Sequence, residues 1–201
     1  MAAAAAGQAA QQASVDLSRV PLVLGSAYGE IVAAVEMMRE VGGPTALPSP
    51  TRFHNSVHNA SVAYLSIATG NRGFSTALAA GTATPAVAVI EAMALLAEHG
   101  GDALLVLLDE PPPGPFERAR PYPAAAAAIC LSSGPGPRTL AAVSEPRRGP
   151  ARRADLPDGL EFHPCAGAFR LLAAIASRRP ASVGLGADGV GEWLVDVVPA
   201  A

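Results

Sequence analysis

Apolar and polar positions fall in blocks along the chain, and the spacing inside each block predicts an element. Val20–Leu24 is a short apolar run that breaks at Gly25 and Gly29, a strand leading into the helix "EIVAAVEMMREVGG", which Gly42 and Gly43 end. After the Pro-punctuated, extended "TALPSPTRF", the stretch "HNSVHNASVAYLSIATGN" places Val57, Val62, Leu65 and Ile67 at helical spacing until Gly70 stops it. "GFSTALA" is the next strand. Thr84 followed by Pro85 makes a helix start, because Thr can accept from a free amide and Pro lacks the amide that would be orphaned there. From Pro85 to Ala97 the only charge is Glu91, and a helix apolar nearly all round is one covered on every side.

"DALLVLL", from Asp102, is a continuous apolar run of strand length, as in a sheet covered on both faces. "YPAAAAAICLSS" reads as a strand ending at "GPGP", with "RTLAAVSE" expected beside it in antiparallel pairing. "CAGAFRLLAAIASRR" reads as a helix and "EWLVDVVP" as a final strand with Trp193, Val195 and Val197 on one face. Residues 111–121 and 144–159 are expected as flexible loops, and 1–14 as a frayed alanine-rich helix. Strand, helix, strand order gives an α/β layout with some parallel pairing, within a single domain over 1–201.

Composition adds a need for company. The apolar set is 50% of 201 residues and charge only 15%, against a usual ~25%, so the chain should seek a partner to cover apolar surface. A net charge of −3 argues against nucleic-acid binding, which needs clustered Lys and Arg. Cys130 and Cys165 lie far apart and in no CxxC pattern, as expected of reduced thiols in the cytoplasm. The amino-terminal stretch has no positive region ahead of its alanines, and Glu91 interrupts the longest candidate span, so a soluble protein without signal peptide or membrane insertion is expected.

Few residues suggest chemistry. His54 and His58 stand four apart, as a zinc pair on a helix would, but Asn55 stands where a metalloprotease needs Glu, and structural histidines are the expectation. "GLGADG" at 184–189 matches the glycine pattern of a phosphate cradle, yet a strand rather than a helix follows, so it reads as a turn. Arg147, Arg148, Arg152 and Arg153 concentrate positive charge on one loop of an acidic protein and could dock an acidic carrier protein. No GxSxG occurs, and neither cofactor nor metal is expected.

From Phe53 to Glu110 the chain resembles the N-terminal half of the beta-ketoacyl synthases of the thiolase-like superfamily, and more closely the short synthase-like proteins of aryl polyene and fatty-acid-type pathways. In condensing enzymes Thr-Ala-Cys-x-x-Gly opens the central buried helix. Thr76, Ala77 and Gly81 match that frame, and the nucleophile position falls on Leu78. The resemblance implies a thiolase-like fold, half of a ketosynthase, with a mixed sheet packed on a buried central helix. One half alone would leave a face of the Pro85–Ala97 helix uncovered, a second reason to expect association.

Leu78 has no lone pair to accept an acyl group, and the family's two catalytic histidines have no recognisable counterpart here. The resemblance therefore implies a non-catalytic subunit, like a chain length factor, that pairs with an active ketosynthase or with itself. Leu78, Ala79 and Ala80 would form part of an acyl-pocket wall. The alternatives are an acyl- or carrier-protein-binding module, and an acyltransferase using Ser75, Thr76 or Cys165 as nucleophile.

Overall fold

The computed structural model describes residues 1–43, 47, 49–116, 120–150, 156–157 and 159–200. A first sheet contains β1 (Leu22–Gly25), β2 (Ser75–Leu78), β3 (Asp102–Asp109) and β4 (Ala125–Ser132) in the order β2-β1-β3-β4. β1 runs parallel to both β2 and β3, and β4 is antiparallel to β3. The mixed α/β architecture is that of the thiolase-like fold expected from the resemblance.

Both faces of this sheet are covered, which explains the unbroken apolar run in β3. Leu105 and Leu107 point with Val23 toward α5 (Thr84–His99), whereas Leu104, Val106 and Leu108 point with Leu22 and Leu24 toward α1 (Ala2–Ala13) and α4 (Ala60–Thr69). Each of these leucines is at least nine-tenths buried, and each such burial favours folding by about 1.5–3 kcal/mol. Two short helices, α2 (Ile31–Val41) and α3 (Pro50–Asn55), complete the connection from β1 to α4.

The C-terminal third builds a second sheet that the sequence only partly reveals. β8 (Gly191–Pro199) pairs with β7 (Ala181–Asp188) on one side and with β5 (Ala141–Val143) and β6 (Arg147–Gly149) on the other, all antiparallel. Val183, Leu185, Val195 and Val197 close over α5 and α6 (Ala166–Ser177) to form one core with the first sheet. The chain's own second layer thus covers most of the central helix, and the face expected to stay bare is the exposed stripe of Ile90, Ala94 and Ala97. Gly81–His99 has the length and hydropathy of a membrane span by composition, but it lies between the two sheets.

Four local expectations are corrected. The "RTLAAVSE" segment supplies β5, which pairs antiparallel with β8 in the second sheet rather than with β4, whose one neighbour is β3. The 144–159 loop contains β6, held by the register Arg147–Leu194 and Arg148–Trp193. "GLGADG" continues β7 to Asp188 through a register shift at Gly184/Gly186, and only then turns. The first helix is not frayed: Ala2, Ala6 and Ala10 form a buried stripe of small side chains against β3 and β4. Residues 117–119, 151–155 and 158, within the two expected loops, lie outside the described residues.

Candidate functional site at the head of the central helix

β2 ends at Leu78, beside Gly25 of β1, and the Ser26 amide donates to the Leu78 carbonyl at 3.1 Å. Gly25 has to be glycine. A Cβ there would lie 2.6 Å from Leu107 Cδ2 and 3.0 Å from Thr84 Cγ2, so its absence lets the first turn of α5 sit directly on the sheet. Between strand and helix, Ala79 and Ala80 are exposed and Gly81 takes φ +55°, a conformation that side chains resist.

The fully buried Thr84 fastens this turn with one hydroxyl. Its Oγ1 accepts from the Ala80 amide at 2.9 Å and donates to the Gly81 carbonyl at 2.7 Å. From the second sheet, the Ala187 carbonyl accepts from Thr82 Oγ1 at 2.7 Å, and Gly186 presses so closely that a Cβ would meet the Thr82 carbonyl oxygen at 1.9 Å. The strand-to-helix pedestal is therefore rigid. Pro85 follows in the first turn, and the amides at a helix start favour an anion or thiolate placed before them. The residue at the pedestal is Leu78, half-buried against the central core and unable to form a thioester.

The substitute nucleophiles fare differently from one another. Ser75 is exposed and Thr76 half-buried on β2. Cys165 is fully buried at the start of α6, with Sγ 3.3 Å from Asp109 Oδ2. Burial, then the Asp109 charge and hydrogen bond, push its thiol far above the ordinary range, which suits a structural group rather than a nucleophile. Nothing in the sequence places its neighbours beside it. His163, two residues before it, is also buried: Nδ1 accepts the Cys165 amide at 3.0 Å, so the neutral ring carries its proton on Nε2, which donates to the Asp109 carbonyl at 3.3 Å. Desolvation lowers its pKa, against a smaller opposing effect of Asp109, and the Tyr122 and Phe169 rings meet it edge-on.

Asp109 is the hub. Its carboxylate accepts from Ser26 Oγ and from the amides of Ala27 and Tyr28, at 2.8–3.0 Å, holding the turn after β1. No single stretch of sequence signals this cluster, because its members come from the ends of β1 and β3 and the start of α6.

The other candidates are brought to separate places. His54 lies on α3 beside Tyr64, and His58 lies beyond the end of that helix with Nε2 donating to the Ser26 carbonyl at 2.8 Å. The two do not share a helical face, and no metal-holding group of three or more His, Cys, Asp or Glu forms among the described residues. Arg147 pairs with Asp196 at 2.9 Å. Arg148 pairs with Asp188 while its guanidinium sits 3.9 Å over the Trp193 ring. Arg152 and Arg153 lie outside the described residues.

A mixed sheet packed on a central helix, entered through a fastened Thr-Ala-x-x-x-Gly turn, defines the chain as a ketosynthase-like protein of the thiolase fold. It belongs to the family described as beta-ketoacyl synthase, N-terminal domain, whose model matches residues 1–181. A ketosynthase (ApeO) in complex with its chain length factor (ApeC) from Xenorhabdus doucetiae shares the fold at TM-score 0.67 and 19% identity, over 88% of this chain and 68% of that one. The ishigamide ketosynthase/chain length factor aligns at TM-score 0.53 and 16% identity, over 80% of this chain and 48% of that one. ChlB3, an acyltransferase, aligns at TM-score 0.50 and 19% identity, over 74% and 40%. The chain thus spans less than half the length of the last two. No curated protein matches it.

Proposed function

We propose that this chain is a non-catalytic, chain-length-factor-like subunit that pairs with a Cys-bearing ketosynthase in fatty-acid-type or polyene synthesis and helps shape its acyl-chain pocket. The observation that carries the reading is Leu78 on an otherwise intact nucleophile pedestal. Similarity to solved ketosynthase and chain length factor assemblies supports it. So does the surface beside Leu78: β2 is the last strand of its sheet, and Ile67 (74% exposed), Phe74 (47%) and Ile90 (38%) lie on α4, before β2 and on α5 around that edge. An open strand edge with apolar neighbours invites pairing with another chain. Ala79 and Ala80, exposed at the same place, would then face the partner as pocket wall.

Carrier-protein docking through Arg147, Arg148, Arg152 and Arg153 belongs to the same reading, as does a cytoplasmic location. At Arg147 and Arg148 the carrier would compete with Asp196 and Asp188. The test is co-purification with a Cys-bearing ketosynthase of the same organism. Ile67→Asp with Phe74→Asp should abolish the complex while leaving the melting temperature within a few degrees. A complex that survives both changes would move the interface elsewhere, and absence of any complex would remove the reading.

A further inference from the structure

The buried Asp109 cluster joins three elements at one imidazole. His163 is 2% exposed, and the Tyr122 and Phe169 rings meet it edge-on at centroid distances of 5.0 and 5.1 Å. Both of its nitrogens are in use. Nδ1 accepts the Cys165 amide in the turn that starts α6, and Nε2 donates to the Asp109 carbonyl at the end of β3. The Cys165 thiol donates to Asp109 Oδ2, while the same carboxylate holds Ser26, Ala27 and Tyr28 after β1. α6 in turn carries Gly167, seated against the Leu185 backbone of β7.

A further proton on this ring breaks a specific bond. Nε2 already carries one, so the second adds at Nδ1, where it meets the N–H of Cys165 instead of an acceptor. The groups around the ring offer one alternative. Asp109 faces it from β3 and the uncharged Cys165 thiol from α6; Tyr122, before β4, donates to the Glu110 carbonyl, and Arg120 lies over Phe162 in the turn before α6. The imidazolium can therefore pair with the Asp109 carboxylate only by displacing a present donor. Of Ser26, Ala27, Tyr28 and Cys165, the thiol is the weakest. In the closed arrangement desolvation keeps the ring neutral and its pKa below the ordinary value, against the Asp109 carbonyl bond and charge.

We infer that His163 is an acid-operated latch, whose protonation releases the Cys165 amide and thiol and lets the first turn of α6 move away from Asp109. This inference is independent of the proposed pairing with a ketosynthase. Once released, the ring has its ordinary pKa of about 6.5, so opening is favoured progressively as the pH falls below that value. The test is thiol reactivity in the full chain carrying Cys130→Ala, so that dithiodipyridine, which reacts with thiols in mild acid, reads Cys165 alone. Relative to glutathione, the rate should rise on the order of tenfold from about pH 7 to about pH 5.5, with the far-UV circular dichroism unchanged. His163→Asn keeps an acceptor near the Nδ1 position but does not titrate, so its relative rate should stay flat. If that variant does not fold, hydrogen exchange of the Cys165 amide in the unaltered chain carries the test, its protection falling by a similar factor. A flat profile in the parent, an equal rise in the Asn variant, constant protection of the amide, or a rise that comes only with loss of the dichroism signal would overturn the proposal.

Discussion

Gly167→Ala sets two physical effects against each other, and the structure decides which wins. Gly167 lies in α6, and in a free helix the change would stabilise by about 1 kcal/mol, because glycine loses more backbone entropy on folding. Here, however, a Cβ at Gly167 would lie 2.0 Å from the Leu185 carbonyl oxygen and 2.6 Å from Leu185 Cα, both in the backbone of β7, where ordinary contact begins at 3.4 Å. No rotamer can relieve that overlap. The helix must lift from the strand, loosening Ala168 and Leu171, which are 0% and 1% exposed. Overpacking of this kind costs about 1–3 kcal/mol, and a backbone obstacle puts it at the upper end, leaving a net loss of about 2 kcal/mol after the helix gain. For a chain of this size that lowers the melting temperature by about 4–8 °C. Gly7→Ala is the internal control: Gly7 is also helical but has nothing within 4 Å of a Cβ, so it should gain up to about 1 kcal/mol. Thermal unfolding by circular dichroism reads both. A Gly167→Ala protein that melts at or above the parent temperature would refute the close seating of α6 on β7, and with it the second layer over the central helix.

Two further predictions concern the pedestal and the buried cluster. Leu78→Cys places a thiol before the first turn of α5, where helix amides favour the thiolate, so at pH 7 iodoacetamide should label it well before Cys130, whose pKa burial pushes up to about 11. Peptide mapping that finds the introduced thiol no faster than Cys130 would contradict the geometry. His163 has its pKa lowered by burial, so the folded state prefers the neutral ring: its contribution to stability is present above the unfolded value near 6.5 and is lost as pH falls from there toward the folded pKa. Denaturant unfolding between pH 7.5 and 5 should show that loss, and His163→Gln should remove this part of the slope. An unchanged slope in the variant would assign the pH dependence to other groups.

The central helix was legible in the sequence because Thr84–Pro85 marks its start and its near-total lack of charge announces burial on all sides. β3 was legible for the same reason. The second sheet was not. β7 contains Gly184 and Gly186, which lower strand propensity, and those glycines are there for tertiary reasons, to bulge the strand and admit the Thr82 carbonyl. β6 is three residues, two of them arginine, and is a strand only because β8 lies beside it. An all-alanine stripe in α1 offers little hydrophobic contrast, yet small side chains are what allow a helix to approach a sheet closely. The Leu78 turn was visible through the Thr-Ala-x-x-x-Gly frame, whereas its fastening by Thr82 and Ala187 joins residues more than a hundred positions apart. The Asp109 cluster escaped for that reason too, since its groups converge only once β1 and β3 lie side by side.

The proposed role has two halves, loss of acyl transfer and retention of partnership. Native mass spectrometry of the chain mixed with a Cys-bearing ketosynthase of the same organism and an acylated carrier protein tests both halves at once. A one-to-one complex is expected, with the acyl mass on the ketosynthase alone. An acyl adduct on this chain, or the absence of any complex while the ketosynthase is loaded normally, would contradict it.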